Sequence, residues 1–300
     1  MKIYSKVSEL IGNTPIIRLE KFGANIFAKC EFLNPSHSVK DRPAYSMIKT
    51  ALDEGKINKD SLIIEATSGN MGIALSMICA DLGLKIIITM PESMSIERRK
   101  IMQLFGATLE LTPASLGMKG AVEKANELLA QNKNAFIPSQ FANLANKNAH
   151  RRTTAQEILN DLDGQVDIFV AGVGTGGTIS GVGEILKEKN ADIKIIAVEP
   201  QSSPLLSQGT AGGHKIQGIG ANFVPDILNR NVIDEILTVS NEDAINTAKE
   251  LAKSGLMVGI SSGANVYAAT LLAKKYPGKN IVTMLNDTAE RYLSTDLFAF

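Results

Sequence analysis

Short apolar runs rich in β-branched residues alternate along this chain with longer stretches in which apolar positions recur every three or four residues. The short runs predict strands, and the longer stretches predict amphipathic helices. The predicted strands are residues 26–29, 62–66, 85–90, 108–111, 167–172, 193–198 and 280–285. The predicted helices are residues 43–54, 72–84, 96–105, 118–131, 241–253 and 264–276. This alternation predicts an α/β fold with parallel sheets covered by helices.

The organisation of the chain predicts two domains. The 300 residues are 44% hydrophobic, which is enough apolar material for two cores. The alternation of strands and helices restarts near residues 144–150. We therefore expect a smaller, mobile domain at residues 35–147 that carries a substrate carboxylate loop. The larger domain is expected to be discontinuous, with approximate bounds at residues 1–34 and 148–300, and to bind a cofactor phosphate.

Composition and charge narrow the classes of function. The 31 Lys and Arg are balanced by 31 Asp and Glu, so the basic excess of a nucleic-acid-binding protein is missing. The N-terminus does not resemble a signal peptide, and the apolar stretches fall short of the roughly 20 residues that span a bilayer. Cys30 and Cys79 lie in apolar patterns and fit buried thiols in a reducing cytosol. We expect a cytoplasmic protein without nucleic-acid or membrane partners.

A glycine-rich loop follows the strand predicted at residues 167–172. Ligands of open parallel sheets bind beyond the carboxyl ends of the strands, so this loop is a candidate site. Its residues are Gly174, Thr175, Gly176, Gly177 and Thr178. Glycines let backbone N–H groups approach an anion, and the N-terminus of the next helix adds a favourable dipole. The loop therefore predicts a phosphate site.

The same segment leaves other classes of function open. Gly172, Gly174 and Gly177 satisfy the pattern G-x-G-x-x-G, and Glu199 ends the next strand as a ribose-binding acid does. An NAD-dependent dehydrogenase is therefore the runner-up, although the pattern lies mid-chain and the loop hydroxyls suit a terminal phosphate. A non-enzymatic protein that binds a phosphate-bearing ligand is a further alternative.

Residues 259–263 match G-x-S-x-G, the nucleophile motif of the α/β-hydrolases. That reaction needs a histidine after the serine in chain order. His37, His150 and His214 all precede Ser261, so the sequence excludes the hydrolase. The same three dispersed histidines show no metal-ligand spacing, and no metal site is expected.

Lys40 stands before the helix predicted at residues 43–54, in a turn-rich segment. Residues 67–70 (Thr-Ser-Gly-Asn) precede the next helix with oxygen and amide groups, which suit a carboxylate at a helix N-terminus. A lysine that forms a Schiff base, a carboxylate loop, a phosphate loop and the hydroxyl of Ser261 together predict a pyridoxal-phosphate site.

At these positions the chain resembles the cysteine synthases (O-acetylserine sulfhydrylases), which are fold-type II pyridoxal-phosphate enzymes. The resemblance runs nearly end to end through collinear motifs. These are LIGNTP at 10–15, NPSHSVKDR at 34–42, TSGNMG at 67–72, GMKGA at 117–121, QF at 140–141, HKIQGIG at 214–220 and ERYLST at 290–295. It implies two domains like those of the tryptophan synthase β-subunit, each a mainly parallel twisted sheet covered by helices.

The resemblance implies a role for each matching site residue. Lys40 would hold pyridoxal 5′-phosphate as a Schiff base, and residues 174–178 would bind its phosphate. Asn70 would hydrogen-bond the ring oxygen, and Ser261 would meet the pyridine nitrogen. The implied substrate-binding residues are Thr67, Ser68, Gly69, Met71, Gln140 and Gly218.

The implied reaction is a β-replacement. O-acetyl-L-serine and sulfide would give L-cysteine and acetate through an aminoacrylate intermediate, with Lys40 as the general base. A cysteine desulfhydrase, or a β-replacement enzyme that uses O-phosphoserine or forms cystathionine, remains open. The resemblance also implies a homodimer, sometimes bound by serine acetyltransferase.

Three residues depart from the pattern of the family. His37, Met71 and Asn222 stand where that family usually has glycine, threonine and glycine. These departures bear on the choice of substrate and sulfur donor rather than on the cofactor.

Overall fold

The fold is taken from a computed structural model, which describes residues 3–299. The strands are β1 (Ile16–Arg18), β2 (Ile26–Cys30), β3 (Leu62–Ala66), β4 (Lys85–Pro91), β5 (Thr108–Thr112), β6 (Ala135–Phe136), β7 (Ile168–Gly172), β8 (Lys194–Pro200), β9 (Glu235–Val239) and β10 (Ile281–Leu285). The α-helices are α1 (Asp41–Asp53), α2 (Asn70–Leu82), α3 (Ile96–Leu104), α4 (Gly117–Gln131), α5 (Leu144–Arg152), α6 (Thr154–Asp161), α7 (Gly177–Lys189), α8 (Leu205–Gln208), α9 (Asn241–Lys253) and α10 (Ile260–Lys275).

Each strand and helix predicted from the pattern is found, with its ends shifted by a few residues. The pattern had not indicated β1, β6 and β9, nor the polar helix α5, its neighbour α6 and the short helix α8. Among residues 3–299 the longest helix is α10, with 16 residues. None of the helices in this range is long and apolar enough to cross a membrane.

The first compact unit comprises residues 3–11 and 40–146. Its sheet has the strand order β5-β4-β3-β6, with every pair parallel. Helices α2 and α4 pack on the sheet, and α1 packs on α2. Parallel strands covered by helices have few exposed positions, which explains the nearly continuous apolar runs of β3 and β4.

The second compact unit comprises residues 12–39 and 147–299. Its six-stranded sheet has the order β1-β2-β10-β7-β8-β9, and only β1 runs antiparallel to its neighbour. Ile168 and Val170 of β7 join one apolar cluster, whereas Phe169 and Ala171 join another. Because successive side chains of a strand point to opposite faces, this sheet is buried on both faces.

The bounds of the units differ in detail from the expected domains. The sequence placed the first boundary after residue 34, whereas the units change over between Val39 and Lys40. Residues 3–11 belong to the first unit rather than to the larger one. The mobility of the smaller domain stays a prediction.

Both cysteines are buried, as their apolar surroundings in the sequence predicted. Burial raises the pKa of the Cys30 thiol to about 11 and that of Cys79 to about 12. Reactive cysteines are those with lowered pKa values, so both thiols are structural.

Candidate active site

Lys40 immediately precedes helix α1 of the first unit. Its backbone is already helical, and its carbonyl oxygen accepts the Ala44 N–H at 3.0 Å. The residue before it, Val39, belongs to the second unit and donates its N–H to the Asn286 oxygen at 2.8 Å. The chain is thus held by backbone hydrogen bonds on both sides of the half-buried Lys40 side chain.

The loop of residues 67–70 connects β3 to α2. The Thr67 N–H donates to the Thr89 oxygen at 3.1 Å, and the Thr67 hydroxyl oxygen accepts the Gly69 N–H at 3.4 Å. Helix α2 begins at Asn70 and has no acidic residue in its first turn. The positive end of the helix dipole lies here, so this end of α2 suits an anionic carboxylate.

Gln140 is held by a buried carboxylate that the sequence analysis had missed. Glu65 lies on β3 and is only 4% exposed, and its Oε2 accepts the Ser139 N–H at 3.3 Å. The Gln140 N–H also donates to Glu65, and the Gln140 oxygen accepts Asn146 Nδ2 at 2.8 Å. Ser139 has a φ of 57°, so this turn is in a conformation that needs such support.

Burial dominates the electrostatics of Glu65. The loss of hydration raises the pKa of its carboxyl group to about 7, although the two backbone N–H groups oppose that shift. The available signal in the sequence was a single glutamate within the apolar run of β3, Leu-Ile-Ile-Glu-Ala. A buried acid of this kind next to a ligand loop is a candidate for a functional role.

Met71 lies in the first turn of α2, where the sequence interpretation had placed it beside the carboxylate loop. Its side chain is 1% exposed and packs in the apolar core of the first unit. The structure thus assigns Met71 a packing role, and its contact with a substrate stays a prediction.

The loop of residues 174–178 connects β7 to α7. A Cβ atom on Gly174 would lie 2.3 Å from the backbone oxygen of Gly218. Gly176 has a φ of 80°, and a Cβ atom there would lie 2.9 Å from Leu228 Cβ. Both positions therefore require glycine. Gly174 has no space for a side chain, and Gly176 has neither the space nor a backbone conformation that a side chain favours.

The donors of this loop fit a phosphate. Helix α7 has no acidic residue in its first turn, and its N-terminal N–H groups carry the positive end of the helix dipole. The hydroxyls of Thr175 and Thr178 add neutral donors. Thr178 Oγ1 lies 3.3 Å from Nε2 of the buried His150, whose Nδ1 is 2.9 Å from Thr154 Oγ1. His150 thus supports the loop and needs no catalytic role.

Gly218 lies between the phosphate loop and Ser261. Its φ is 97°, its carbonyl faces Gly174, and a Cβ atom on it would lie 3.9 Å from Ser261 Oγ. The segment is fixed by the Gly220 N–H, which donates to the Val173 oxygen at 2.9 Å. The structure therefore brings together three of the predicted site elements within the second unit.

Ser261 lies in the first turn of α10 and is 3% exposed. Its Oγ accepts a hydrogen bond from Asn286 Nδ2 at 3.2 Å. The histidines of the same unit contact other partners, and His214 Nε2 lies 2.9 Å from the Gly220 oxygen. Ser261 is accordingly a buried polar group rather than an activated nucleophile.

Glu199 is the candidate ribose-binding acid that made a dehydrogenase an alternative, but its carboxylate binds other groups. It is 2% exposed, and its carboxylate accepts the N–H groups of Leu206 and Ser207 at 2.7 and 3.0 Å. The Ser207 hydroxyl also donates to it at 2.5 Å. Glu199 thus anchors α8 instead of offering its carboxylate to a ribose.

Two of the three departures from the family pattern have a backbone explanation. His37 has a φ of 61° and Asn222 a φ of 62°. This left-handed region favours glycine, and asparagine tolerates it better than most other residues. Asn222 is exposed, and its Oδ1 accepts the Ser203 hydroxyl at 2.9 Å. The backbone shape that glycine permits is therefore kept at both positions.

Across the described part of the chain, no group of three or more His, Cys, Asp or Glu side chains is arranged to hold a metal ion.

Comparison with known proteins finds relatives that match nearly the whole chain. A family model described as pyridoxal-phosphate dependent enzyme matches residues 7–287. The chain is 75% identical over 299 residues to cysteine synthase B of Campylobacter jejuni subsp. jejuni, and the alignment covers 100% of both chains. It also matches the crystal structure of a cysteine synthase from Entamoeba histolytica, with a TM-score of 0.96, 42% identity, and coverage of 100% of this chain and 92% of that one.

A second solved structure is similar to the same extent. It is a hydrogen sulfide-producing enzyme from Fusobacterium nucleatum, with a TM-score of 0.94 and 45% identity. The match covers 98% of this chain and 99% of that chain.

Proposed function

Because the chain belongs to the family of pyridoxal-phosphate dependent enzymes, we propose that it converts O-acetyl-L-serine and sulfide into L-cysteine and acetate. The observation that carries the proposal is the end-to-end similarity to a protein named cysteine synthase B. Membership in the family makes pyridoxal phosphate the cofactor, as the sequence predicted. The dehydrogenase and the non-enzymatic binding protein are not favoured by the comparisons.

The side chains of this protein fit the chemical groups of that cofactor. The loop at residues 174–178 offers backbone N–H groups and two hydroxyls to the phosphate. Ser261 offers a buried hydroxyl to the ring nitrogen, and Asn70 an amide to the ring oxygen. Lys40 offers its amine to the aldehyde. When bound, the cofactor supplies an electron sink for the Cα carbon of an amino acid.

Lys40 acts as the general base of the reaction. Its amine takes the proton from Cα, and the electrons of that C–H bond expel acetate from Cβ. Hydrogen sulfide ion then forms the Cβ–S bond, and the Lys40 ammonium returns a proton to Cα. One C–O bond is exchanged for one C–S bond, so no oxidant or reductant is needed.

The substrate carboxylate binds in the first unit. Thr67 and Ser68 offer hydroxyls at the N-terminus of α2, where the helix dipole favours a negative charge. Gln140 adds an amide donor, and Glu65 holds the backbone of Gln140 in place. This donor set orients the amino acid so that its Cα–H bond is presented to the base.

We also propose that the protein acts in the cytoplasm as a homodimer that binds serine acetyltransferase. The support is the collinear motifs shared with the cysteine synthases. Light scattering of the purified protein, alone and mixed with serine acetyltransferase, tests first the dimer and then the partner. A monomer would contradict the first, and an unchanged mass in the mixture would contradict the second.

The decisive experiment follows cofactor and products together. Purified protein should show a visible absorbance band, and borohydride reduction followed by peptide mapping should place the pyridoxyl group on Lys40. With O-acetyl-L-serine and sulfide, it should form cysteine and acetate in equal amounts. The Lys40→Ala variant should fold but form neither product. If the protein released sulfide from cysteine faster than it made cysteine, it would instead be a hydrogen sulfide-producing enzyme, like the Fusobacterium protein.

A further inference from the structure

Asn286 follows β10 in the second unit and is held in place through its backbone. Its N–H donates to Ser262 Oγ at 2.9 Å, and its carbonyl oxygen accepts the Val39 N–H at 2.8 Å. Ser262 lies in the first turn of α10, and Val39 precedes Lys40. These two bonds hold the backbone of Asn286, and so the point from which its side chain starts, in place.

That side chain points its amide nitrogen at Ser261. Asn286 Nδ2 donates to Ser261 Oγ at 3.2 Å, and Ser261 is 3% exposed. A hydroxyl group has one proton to donate and lone pairs with which to accept. Since the Asn286 amide nitrogen can only donate, it occupies a lone pair of Ser261 and cannot take the hydroxyl proton. The proton is left to point at another acceptor.

We propose that Asn286 is a positioning residue that makes the Ser261 hydroxyl a donor, so that the cofactor's ring nitrogen stays unprotonated. The inference rests on the proposed function, in which Ser261 meets that nitrogen. An unprotonated ring withdraws electrons less strongly than a protonated one. Weak withdrawal suits loss of a leaving group from Cβ, because the electrons of the Cα–H bond then leave with acetate rather than staying on the ring.

The test is nitrogen NMR on protein reconstituted with pyridoxal phosphate labelled at the ring nitrogen, because the shift of that nitrogen reports its protonation. In wild type the shift should lie in the range of neutral pyridine. The Asn286→Asp variant replaces the donor by a carboxylate, which accepts the Ser261 proton and turns Ser261 Oγ into an acceptor. Its shift should move to the pyridinium range, and acetate release should slow.

Two controls separate this role from a general effect of charge. Asn280→Asp makes the same change next to the opposite end of β10 and should leave the shift unchanged. In a Ser261→Ala background, Asn286→Asp should lose its effect. An equal shift in that background would show that the carboxylate acts on the ring directly, and would overturn the proposal.

Asn286→Ala keeps the test decisive if the aspartate variant fails to fold. Without the amide, the Ser261 hydroxyl is free to rotate, and the ring-nitrogen shift should move part of the way towards the protonated range. A cofactor-bound variant with the wild-type shift overturns the role of Asn286 and leaves the proposed function intact. Wild-type protein that binds no pyridoxal phosphate would instead contradict the proposed function itself.

Discussion

The loop at residues 67–70 and the loop at residues 174–178 each follow an inner strand of a parallel sheet and each lead into a helix of 13 residues. Neither helix has an acidic residue in its first turn. They differ in how tightly the backbone is confined. A Cβ atom on Gly174 would meet a backbone oxygen at 2.3 Å, whereas one on Gly69 would meet only a side-chain nitrogen of Arg98, at 3.9 Å.

This difference matches the ligands proposed for the two loops. A cofactor that stays bound can be held by backbone groups in a shape that only glycine permits. A substrate that enters and leaves at each turnover is better served by side chains, as at Thr67, Ser68 and Gln140, on a loop with room to adjust. We therefore expect the phosphate loop to be rigid and the carboxylate loop to be adaptable.

The largest effect is expected for Gly174→Ala. The added Cβ atom would overlap the Gly218 backbone oxygen, so the phosphate loop cannot keep its shape. We expect the purified variant to lose its visible absorbance band at micromolar pyridoxal phosphate. The matched variant Gly69→Ala, in the carboxylate loop, should keep the band. Equal cofactor retention in both variants would remove the contrast between the loops.

The next effect concerns pH and the support of the carboxylate loop. The pKa of Glu65 rises from 4.5 on folding to about 7, so the folded state binds more protons than the unfolded state between those values. The free energy of unfolding should therefore fall as pH rises through this window, by up to about 3 kcal/mol.

The side chain introduced in the Glu65→Gln variant cannot ionise, so the free energy of unfolding of this variant should not fall between pH 4.5 and about 7. Urea unfolding at pH 4, 6 and 8 would measure this. The substitution should also raise the KM for O-acetyl-L-serine, because the amide offers the two backbone N–H groups one accepting oxygen where the carboxylate offers two. An exposed glutamate provides the control, and Glu290→Gln should retain the wild-type pH dependence. If the free energy of unfolding depended on pH in the same way in Glu65→Gln and in wild type, the raised pKa of Glu65 would be contradicted.

A smaller effect is expected for Gln140→Ala. Removing a hydrogen bond to the charged carboxylate should weaken substrate binding by roughly 1.5–3 kcal/mol. Titration of the cofactor absorbance with O-acetyl-L-serine measures this, and cofactor content should not change. Unchanged affinity would show that the carboxylate binds elsewhere.

The smallest effect is expected for His150→Leu, which removes the support of Thr178 in the phosphate loop. We expect pyridoxal-phosphate affinity to fall roughly fivefold, as for one hydrogen bond of about 1 kcal/mol. In a Thr178→Val background the same change should have little further effect. Full additivity of the two changes would mean that His150 acts through packing alone.

The sequence predicted the long, strongly periodic elements and missed the short or polar ones. β6 has two residues, too few to show a period. Helix α5 reads Leu-Ala-Asn-Lys-Asn-Ala-His-Arg-Arg and lacks an apolar stripe, yet it buries Asn146 and His150. Asn146 bonds to the backbone oxygen of Gln140 just before the helix, and His150 bonds to Thr178, which lies 28 residues further along the chain.

The resemblance to the cysteine synthases, the α/β fold and the cofactor are all confirmed by the comparisons. They could be predicted because glycine loops, helix starts and collinear motifs are local features of the chain. The site roles of Lys40, Asn70 and Ser261 stay predictions until they are measured.

By itself, the sequence determined where strands and helices form, which loops carry glycine, and which lysine stands in the cofactor motif. Each of these follows from spacing along the backbone and from the conformations that a residue allows. Only the tertiary structure decided that Glu65 supports Gln140, that Gly218 closes on Gly174, and that Asn286 donates to Ser261. The physical reason is that a buried polar group needs a hydrogen-bond partner, and the folded sheet decides which group lies beside it. Ser261 bonds to a residue 25 positions away in the sequence, and Glu65 to one 74 positions away.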